Sequence, residues 1–393
     1  MSEWKEYRFT EAATLTNGRA YLQPELQEAG KYKIVRVGNL SGGDNWFYSD
    51  LELPEDKYCH KGDLLYAWAC SFGPYIWNED KTIYHYHIWK VDVNKALTDK
   101  YYLYYYLKYY TPKWMGLTNG SVMMHITKGS LEKQLIRLPD LNTQRQIASI
   151  LSSLDDKIAV NKKICENLEA QAQALFKLWF VDFVPFKNGR FVESELGLIP
   201  EGWRVGNIYE YIDVIYGAPY KSSLFNDKKN GLPLIRIRDL KTYSPQFYTP
   251  EVLPTTEYIE AGDVVAGMDA EFIPYLWLGE KGVLNQRCCK FKGKDNRISN
   301  YYILFLVKPE LEYVQSYKTG TTVSHLGKSD IDRFRFVTPP LDVILSFSDM
   351  VNSMKEEVVT RAKESSRLAT LRDTLLPKLM SGQIKINEIE KNL

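Results

Sequence analysis

No apolar run in the 393 residues approaches the roughly 18 that a membrane-spanning helix needs, and the opening MSEWKEYRFT lacks the apolar core of a signal peptide. Both absences point to a cytoplasmic protein. Cysteine is scarce: Cys59, Cys70, Cys165, Cys288 and Cys289 make an odd set of five with no C-x-x-C pair. Neither a disulfide framework nor a zinc site is suggested, and reduced thiols are expected. Excess charge is missing too, because 50 Lys and Arg against 49 Asp and Glu leave a net charge of +1. That balance argues against coating nucleic acid through a bulk positive field, so any contact with DNA has to come from local patches.

What is present is the composition of a folded chain, 45% hydrophobic and 25% charged, long enough for two or more domains. Aromatic residues reach 13%, and Tyr101 to Tyr110 reads YYLYYYLKYY. A stacking surface for bases or sugars is one use of such a run. Core and sheet packing is the expected one, since tyrosine suits half-buried elements.

The stretch GTTVSHLGKS, Gly320 to Ser329, resembles a phosphate loop until its spacing is counted. A Walker A loop has four residues between its first Gly and its Gly-Lys pair, which would require Gly at Thr322. The upstream stretch GSVMMHITKG supplies a better account: Gly120, His125 and Lys128 stand two hundred residues before Gly320, His325 and Lys328. The same offset pairs Leu40 with Leu240, Phe47-Tyr48 with Phe247-Tyr248, Gly62-Asp63 with Gly262-Asp263 and Tyr101-Tyr102 with Tyr301-Tyr302, while Trp4 pairs with Trp203 after a one-residue slip. The chain is a duplicated unit.

Each unit opens with short β-rich segments such as YKIVRVGNL and LPLIRIRDL, broken by Gly, Pro, Asn and Asp, and closes in a long helix. The first helix starts near LNTQRQI, with Asn142 or Thr143 as its cap and Gln146 placed for a capping box. Its stripe runs Ile147, Ile150, Leu154, Ile158, Asn161, Cys165, Leu168, Ala172, Leu175 and Trp179; the second runs Phe347, Met350, Met354, Val358, Leu368, Leu371, Leu375 and Leu379. Steps of three and four suit a coiled coil between the two helices, with packing of each helix on its own β domain as the alternative. A helix of roughly 38 residues spans about 57 Å at about 1.5 Å per residue, enough to hold two modules one DNA turn of about 34 Å apart.

Several stretches carry a resemblance: LPDLNTQRQIASIL and TPPLDVILSFSDMV at the helix starts, LFKLWFVDFVPF from Leu175, ELGLIPEGW from Glu195, and LRDTLLPKLMSGQI from Leu371. Together, in this order and over two repeats, they resemble the specificity subunit of type I restriction-modification enzymes. The resemblance covers essentially the whole chain. It departs from the pattern at TPPLDVILSF, which lacks the Gln-Arg pair of its partner and leaves open whether both helices dock a partner equally.

The resemblance implies an α+β chain in which two β-rich target recognition domains are separated by two long helices forming an antiparallel coiled coil. The implied division is a first recognition domain at 1–141, a helix at 142–185, a second domain at 186–341, and a second helix with its tail at 342–393. Each domain would read one half of an asymmetric, bipartite site in double-stranded DNA. The chain would hold no catalytic centre and no cofactor. Two methyltransferase subunits using S-adenosylmethionine, and restriction subunits using ATP and Mg, would act as partners. The sequence itself contains no N/D-P-P-Y methyltransferase motif, no Walker A loop and no nuclease-like carboxylate-lysine cluster.

Modules that read different half-sites share scaffold residues and differ where they touch bases. The matched Arg36 and Arg236 are candidates for phosphate contacts, with a structural pairing of Arg36 to Asp63 as the alternative. The mismatched Asn39/Asp239, Gly38/Arg238 and Ser71/Glu271 are candidates for base edges. Backbone amides near Gly120, Ser121, Gly320 and Thr321, with the charges of Lys128 and Lys328, can hold a phosphate. His125 and His325 are expected to orient those loops. His85 and His87 share one face of YHYHIW, a spacing open to a metal, but with no third ligand evident they are expected to pack. Phe176, Trp179, Phe180 and Phe183 either dock a methyltransferase subunit or bury against the next β domain.

Two other functions stay open at this stage. One is a self-contained DNA methyltransferase or nuclease with degenerate motifs; the other is a coiled-coil scaffold carrying carbohydrate-binding heads.

Overall fold

The computed structural model describes residues 4–115, 126–318, 324–384 and 386. In the first repeat the strands Ala13–Asn17, Ile88–Val93, Leu64–Ala67 and Gly73–Ile76 lie side by side in that order, all antiparallel. A second sheet runs Phe47–Ser49, Tyr32–Val35, Thr82–Tyr84 and Tyr58–Cys59, and its central pair is parallel, with Ile34 opposite Ile83. The second repeat builds both again. Ile212–Tyr216, Cys288–Gly293, Val264–Gly267 and Pro274–Leu276 form one sheet. Phe247–Thr249, Leu232–Ile235, Gly282–Leu284 and Tyr258–Ile259 form the other, again with one parallel pair.

Alternation along the central strand explains why these small sheets hold. Side chains point to opposite faces at every step, so Leu64 and Tyr66 enter one core while Leu65 and Ala67 enter another. All four are buried. Val264 and Ala266 divide from Val265 in the same way in the second repeat. The strand Lys5–Arg8 pairs with Leu135–Leu138, as Arg204–Gly206 pairs with Phe336–Thr338, clasping the beginning of each repeat to its end.

The tyrosine run lies on a helix, Lys100–Met115, rather than in a sheet. Its 3.6-residue turn carries Tyr102, Tyr105 and Tyr106 inward together with Leu103 and Leu107. Core packing, not an exposed stacking platform, uses these rings.

The long helices are Leu141–Phe180 and Leu341–Met380, 40 residues each. The first is capped by Asp140, not by Asn142 or Thr143: one Asp140 oxygen accepts from both their amides, at 2.9 and 3.0 Å, and the other from the Thr143 hydroxyl. The Thr143 and Asn142 amides hold the Asp140 carboxyl below the usual carboxylate range. Contacts divide the chain into one unit of residues 1–156 with 368–393 and another of 157–367, so each helix contributes to both. In the second unit the helices run antiparallel, Asn161 meeting Glu364, Cys165 meeting the Val358 carbonyl and Phe180 meeting Phe347. In the first unit Asp155 meets Arg372 at 2.5 Å.

The stripe read in the sequence is buried or half-buried except at two positions, and the buried face is wider than that stripe. Met350 and Leu371 are exposed, whereas Leu151, Ile344, Val351 and Leu376 are buried. The helix ends pack on a β domain as well as on the facing helix, which widens the apolar face beyond a coiled-coil seam.

Candidate nucleic-acid interface

The chain leaves its strand at Val35, so Arg36 does not alternate with Tyr32 and Ile34 on one strand face. It opens a single helical turn, Val37–Leu40, and its backbone amide donates to Asn39 Oδ1 at 3.0 Å. The guanidinium lies over the Phe47 ring, 4.2 Å from its centroid. Asp63 is not its partner; that carboxylate accepts from the His60 amide. In the second repeat the Arg236 amide donates to Asp239 Oδ2 at 3.0 Å, and the guanidinium lies 4.4 Å from the Phe247 centroid.

This conserved local geometry changes the reading of the mismatched pair. The Asn39 amide group donates to the carbonyls of Gly43 and Asn45, and Asp239 is only 1% exposed. Both are turn caps, already engaged by their own loop, and unsuited to base edges. Gly38 and Arg238, by contrast, are exposed one residue earlier. Arg36 and Arg236 keep one buried N–H each, at Nε and Nη2, with no partner among the described residues.

A second cluster forms beyond the central strand. Cys70 and Ala270 both take a positive φ, 63° and 60°, which turns the chain sharply before Ser71 and Glu271. In the second repeat the segment around His325 runs along this turn: Ala270 N donates to Ser324 O and Leu326 N to Met268 O. His325 Nδ1 thereby lies 2.6 Å from Asp269, whose other oxygen takes Arg287 at 2.8 Å. The exposed Glu271 stands two residues from Asp269. Ile126 N donates to Trp68 O at the matching place in the first repeat. Gly120, Ser121, His125, Gly320 and Thr321 lie outside the described residues.

Lys128 and Lys328 each begin a short helix. Lys128 lies 3.7 Å from Glu132, whereas Lys328 is exposed. Beside Lys328, Asp330 accepts the Gly327 amide at 2.8 Å and pairs with Lys318 at 2.5 Å, fixing the backbone that carries the lysine.

The aromatic segment resolves toward burial. Phe176 and Phe180 sit in the second unit's core, with Phe180 5.1 Å from both the Tyr302 and the Phe347 ring centroids. Trp179 packs on Phe347, and Phe183 edges Trp203 at 5.5 Å. These rings hold a helix to its β domain and are not a free docking face. Gln144, half of the Gln-Arg pair in NTQRQ, is also internal: it donates to the carbonyls of Leu97 and Pro139 and accepts the Asp99 amide.

The sequence reading weighed His85 and His87 only as a metal pair or as packing residues, and did not connect them with the turn that follows each parallel strand. His85, Tyr86 and His87 occupy it in the first repeat and Asn285, Gln286 and Arg287 in the second. Among the described residues no group of three or more His, Cys, Asp or Glu side chains is placed to hold a metal, so the histidine pair has no third ligand there. Burial, with His87 and Arg36 nearby, lowers His85 to about 4. His85 and His87, with Arg36 and Asn39, line one shallow cavity of about 310 Å³. Comparing side chains at each two-hundred offset, beyond the motifs, is the signal that would have exposed this turn.

The family model for the type I restriction modification DNA specificity domain matches residues 1–170 and again 200–350. The chain is 28% identical over 318 residues to the type I restriction enzyme MjaIX specificity subunit of Methanocaldococcus jannaschii, covering 73% of this chain and 70% of that one. It is 23% identical to the HindI specificity subunit of Haemophilus influenzae, across 98% of this chain and all of the relative. Among solved structures, the type I restriction-modification S subunit from M. genitalium superposes with a TM-score of 0.57 at 16% identity, over 96% of each chain.

Proposed function

The chain belongs to the family of type I restriction modification DNA specificity domains, and from that membership we propose that it reads an asymmetric, two-part site in double-stranded DNA with one half assigned to each repeat. The observation that carries this reading is the pairing of a duplicated scaffold with unduplicated residues that are exposed or half-buried. Strand order, parallel pair and capped turn recur in both repeats, while Gly38 faces Arg238 and Ser71 faces Glu271 in the alignment. Two identical readers would specify a symmetric site; two different ones specify two different words.

In this reading the chain contributes selection, not bond-breaking. Two methyltransferase subunits, with S-adenosylmethionine, and restriction subunits, with ATP and Mg, supply the chemistry. Lys328 contributes to phosphate neutralisation and carries no sequence information. The exposed Arg238 and Glu271 stand among the residues available to bases.

The test is binding of the complex assembled with its methyltransferase subunits to a library of duplexes. Selection of two short words at fixed separation, with strongly salt-dependent affinity, is the expected result. Equal binding to all sequences would reject it. Methyl transfer or cleavage by the purified chain alone would support the self-contained enzyme instead.

A further inference from the structure

The turns 85–87 and 285–287 share one backbone and differ in every side chain. His85 N donates to Val35 O as Asn285 N donates to Ile235 O, and Tyr86 N donates to Arg19 O as Gln286 N donates to Ala218 O. Arg19 N to Tyr84 O and Gly18 N to Ile88 O recur as Ala218 N to Leu284 O and Gly217 N to Cys288 O. Trp68 N takes the His87 carbonyl as Met268 N takes that of Arg287. Gly18 and Gly217 permit this: a Cβ at either would collide with the carbonyl oxygen of His85 or Asn285.

The first position of each turn is used internally. His85 Nδ1 accepts the His87 amide at 3.4 Å, and Asn285 Oδ1 accepts the Arg287 amide at 3.2 Å. An imidazole and a carboxamide therefore perform one bracing task, which leaves the next two positions to vary. Tyr86 is 38% exposed, and the Arg287 side chain 56%. Arg287 is held by Asp269 Oδ2 at 2.8 Å, and Asp269 in turn meets His325 at 2.6 Å. Tyr86 and His87 crowd against Trp68, whose indole donates to the Tyr86 carbonyl at 2.8 Å.

We infer that Tyr86-His87 in the first repeat and Gln286-Arg287 in the second are base-reading pairs, with His85 and Asn285 as positioning residues; this rests on the two-part DNA reading above. The chemistry of the second pair matches a purine-rich edge. Glutamine forms two hydrogen bonds with adenine, and arginine two with guanine O6 and N7. Asp269 fixes the guanidinium before DNA arrives, so less side-chain freedom is lost on binding. The first pair brings a ring face, a hydroxyl and an imidazole, and selects a different word.

Sequencing of methylated adenines in cells carrying the complete complex tests this, with wild type, Gln286→Ala, Arg287→Ala, Tyr86→Ala and His87→Ala compared. The 286 and 287 variants are expected to relax one half of the site while the other half and the separation stay fixed. The 86 and 87 variants should relax the opposite half. In duplex binding, Arg287→Ala should lose roughly tenfold in discrimination at one base pair. Retention of both wild-type words by all four variants overturns the assignment, as does loss of both words together, which would mean that the residues act through the fold. If wild type itself marks no two-part site, the proposed function fails first, and the turn assignment fails with it.

Discussion

Asn161, fully buried midway along its helix, donates its side-chain amide to Glu364 Oε2 at 2.8 Å on the facing helix. Its carbonyl oxygen accepts from Arg361 at 3.3 Å. A polar group inside an apolar seam fixes which residues meet, because any shift in register leaves it unsatisfied. Asn161→Ala is expected to cost about 1–3 kcal/mol, read as a lower urea midpoint. Asn161→Leu should cost less, since Glu364 keeps Arg361 and Lys157 as partners. An unchanged midpoint in both variants would deny the amide its role.

Gly217 is required by close approach, not by its own φ. A methyl group there would overlap the Asn285 carbonyl, and the strand cannot yield because Gly217 N and Ala218 N bond to the same segment. Gly217→Ala should destabilise the fold by at least about 2 kcal/mol. A thermal midpoint equal to wild type would contradict the packing.

Asp239 and Asn39 perform the same capping task, which makes the repeats each other's control. Asp239→Asn should keep stability within about 1 kcal/mol, whereas Asp239→Ala should lose about 1–2 kcal/mol by leaving the Arg236 amide unpaired. Chemical denaturation of the two variants distinguishes them. The reverse order would remove the cap from the account.

His85 gives a pH dependence of defined sign. Burial, with help from His87 and Arg36, lowers its pKa from 6.5 to about 4. The unfolded chain therefore takes up a proton near pH 6.5 while the folded turn stays neutral until about pH 4. Stability from this group is complete above pH 6.5 and is lost as pH falls toward 4. His85→Asn copies residue 285 and should flatten that part of the profile relative to wild type. Parallel profiles between pH 7 and 4 would rule it out.

Lys328 is exposed on a backbone fixed by Asp330. Lys328→Ala should weaken DNA binding for all sequences alike and reduce the salt slope by about 1, with the melting temperature unchanged. Binding isotherms at several salt concentrations measure this. An unaltered slope would return the lysine to the scaffold.

The duplication was readable because strand register and turn residues recur at one offset: Gly62-Asp63 and Gly262-Asp263, Phe47 and Phe247. Long helices were readable from their three-and-four spacing. Which flank of each helix is buried was not, since Leu151 and Leu376 face a β domain that spacing cannot reveal. Arg36 looked like a strand residue because YKIVRVG alternates through it, yet Asn39 captures its amide and ends the strand. The equivalence of turns 85–87 and 285–287 was hidden for a different reason. Its constancy lies in hydrogen bonds of the backbone, and no residue type is shared at its three positions across the repeats.

One feature of the fold sets an order on events at the ribosome. The first unit draws on residues 1–156 but also on 368–393, and its core includes Leu376, Leu379 and Met380. Those side chains are translated after the whole of the second unit, residues 157–367. The domain that emerges first is thus completed last, and until then its Leu151 and Tyr105 lack part of the cover that Leu376, Leu379 and Met380 provide.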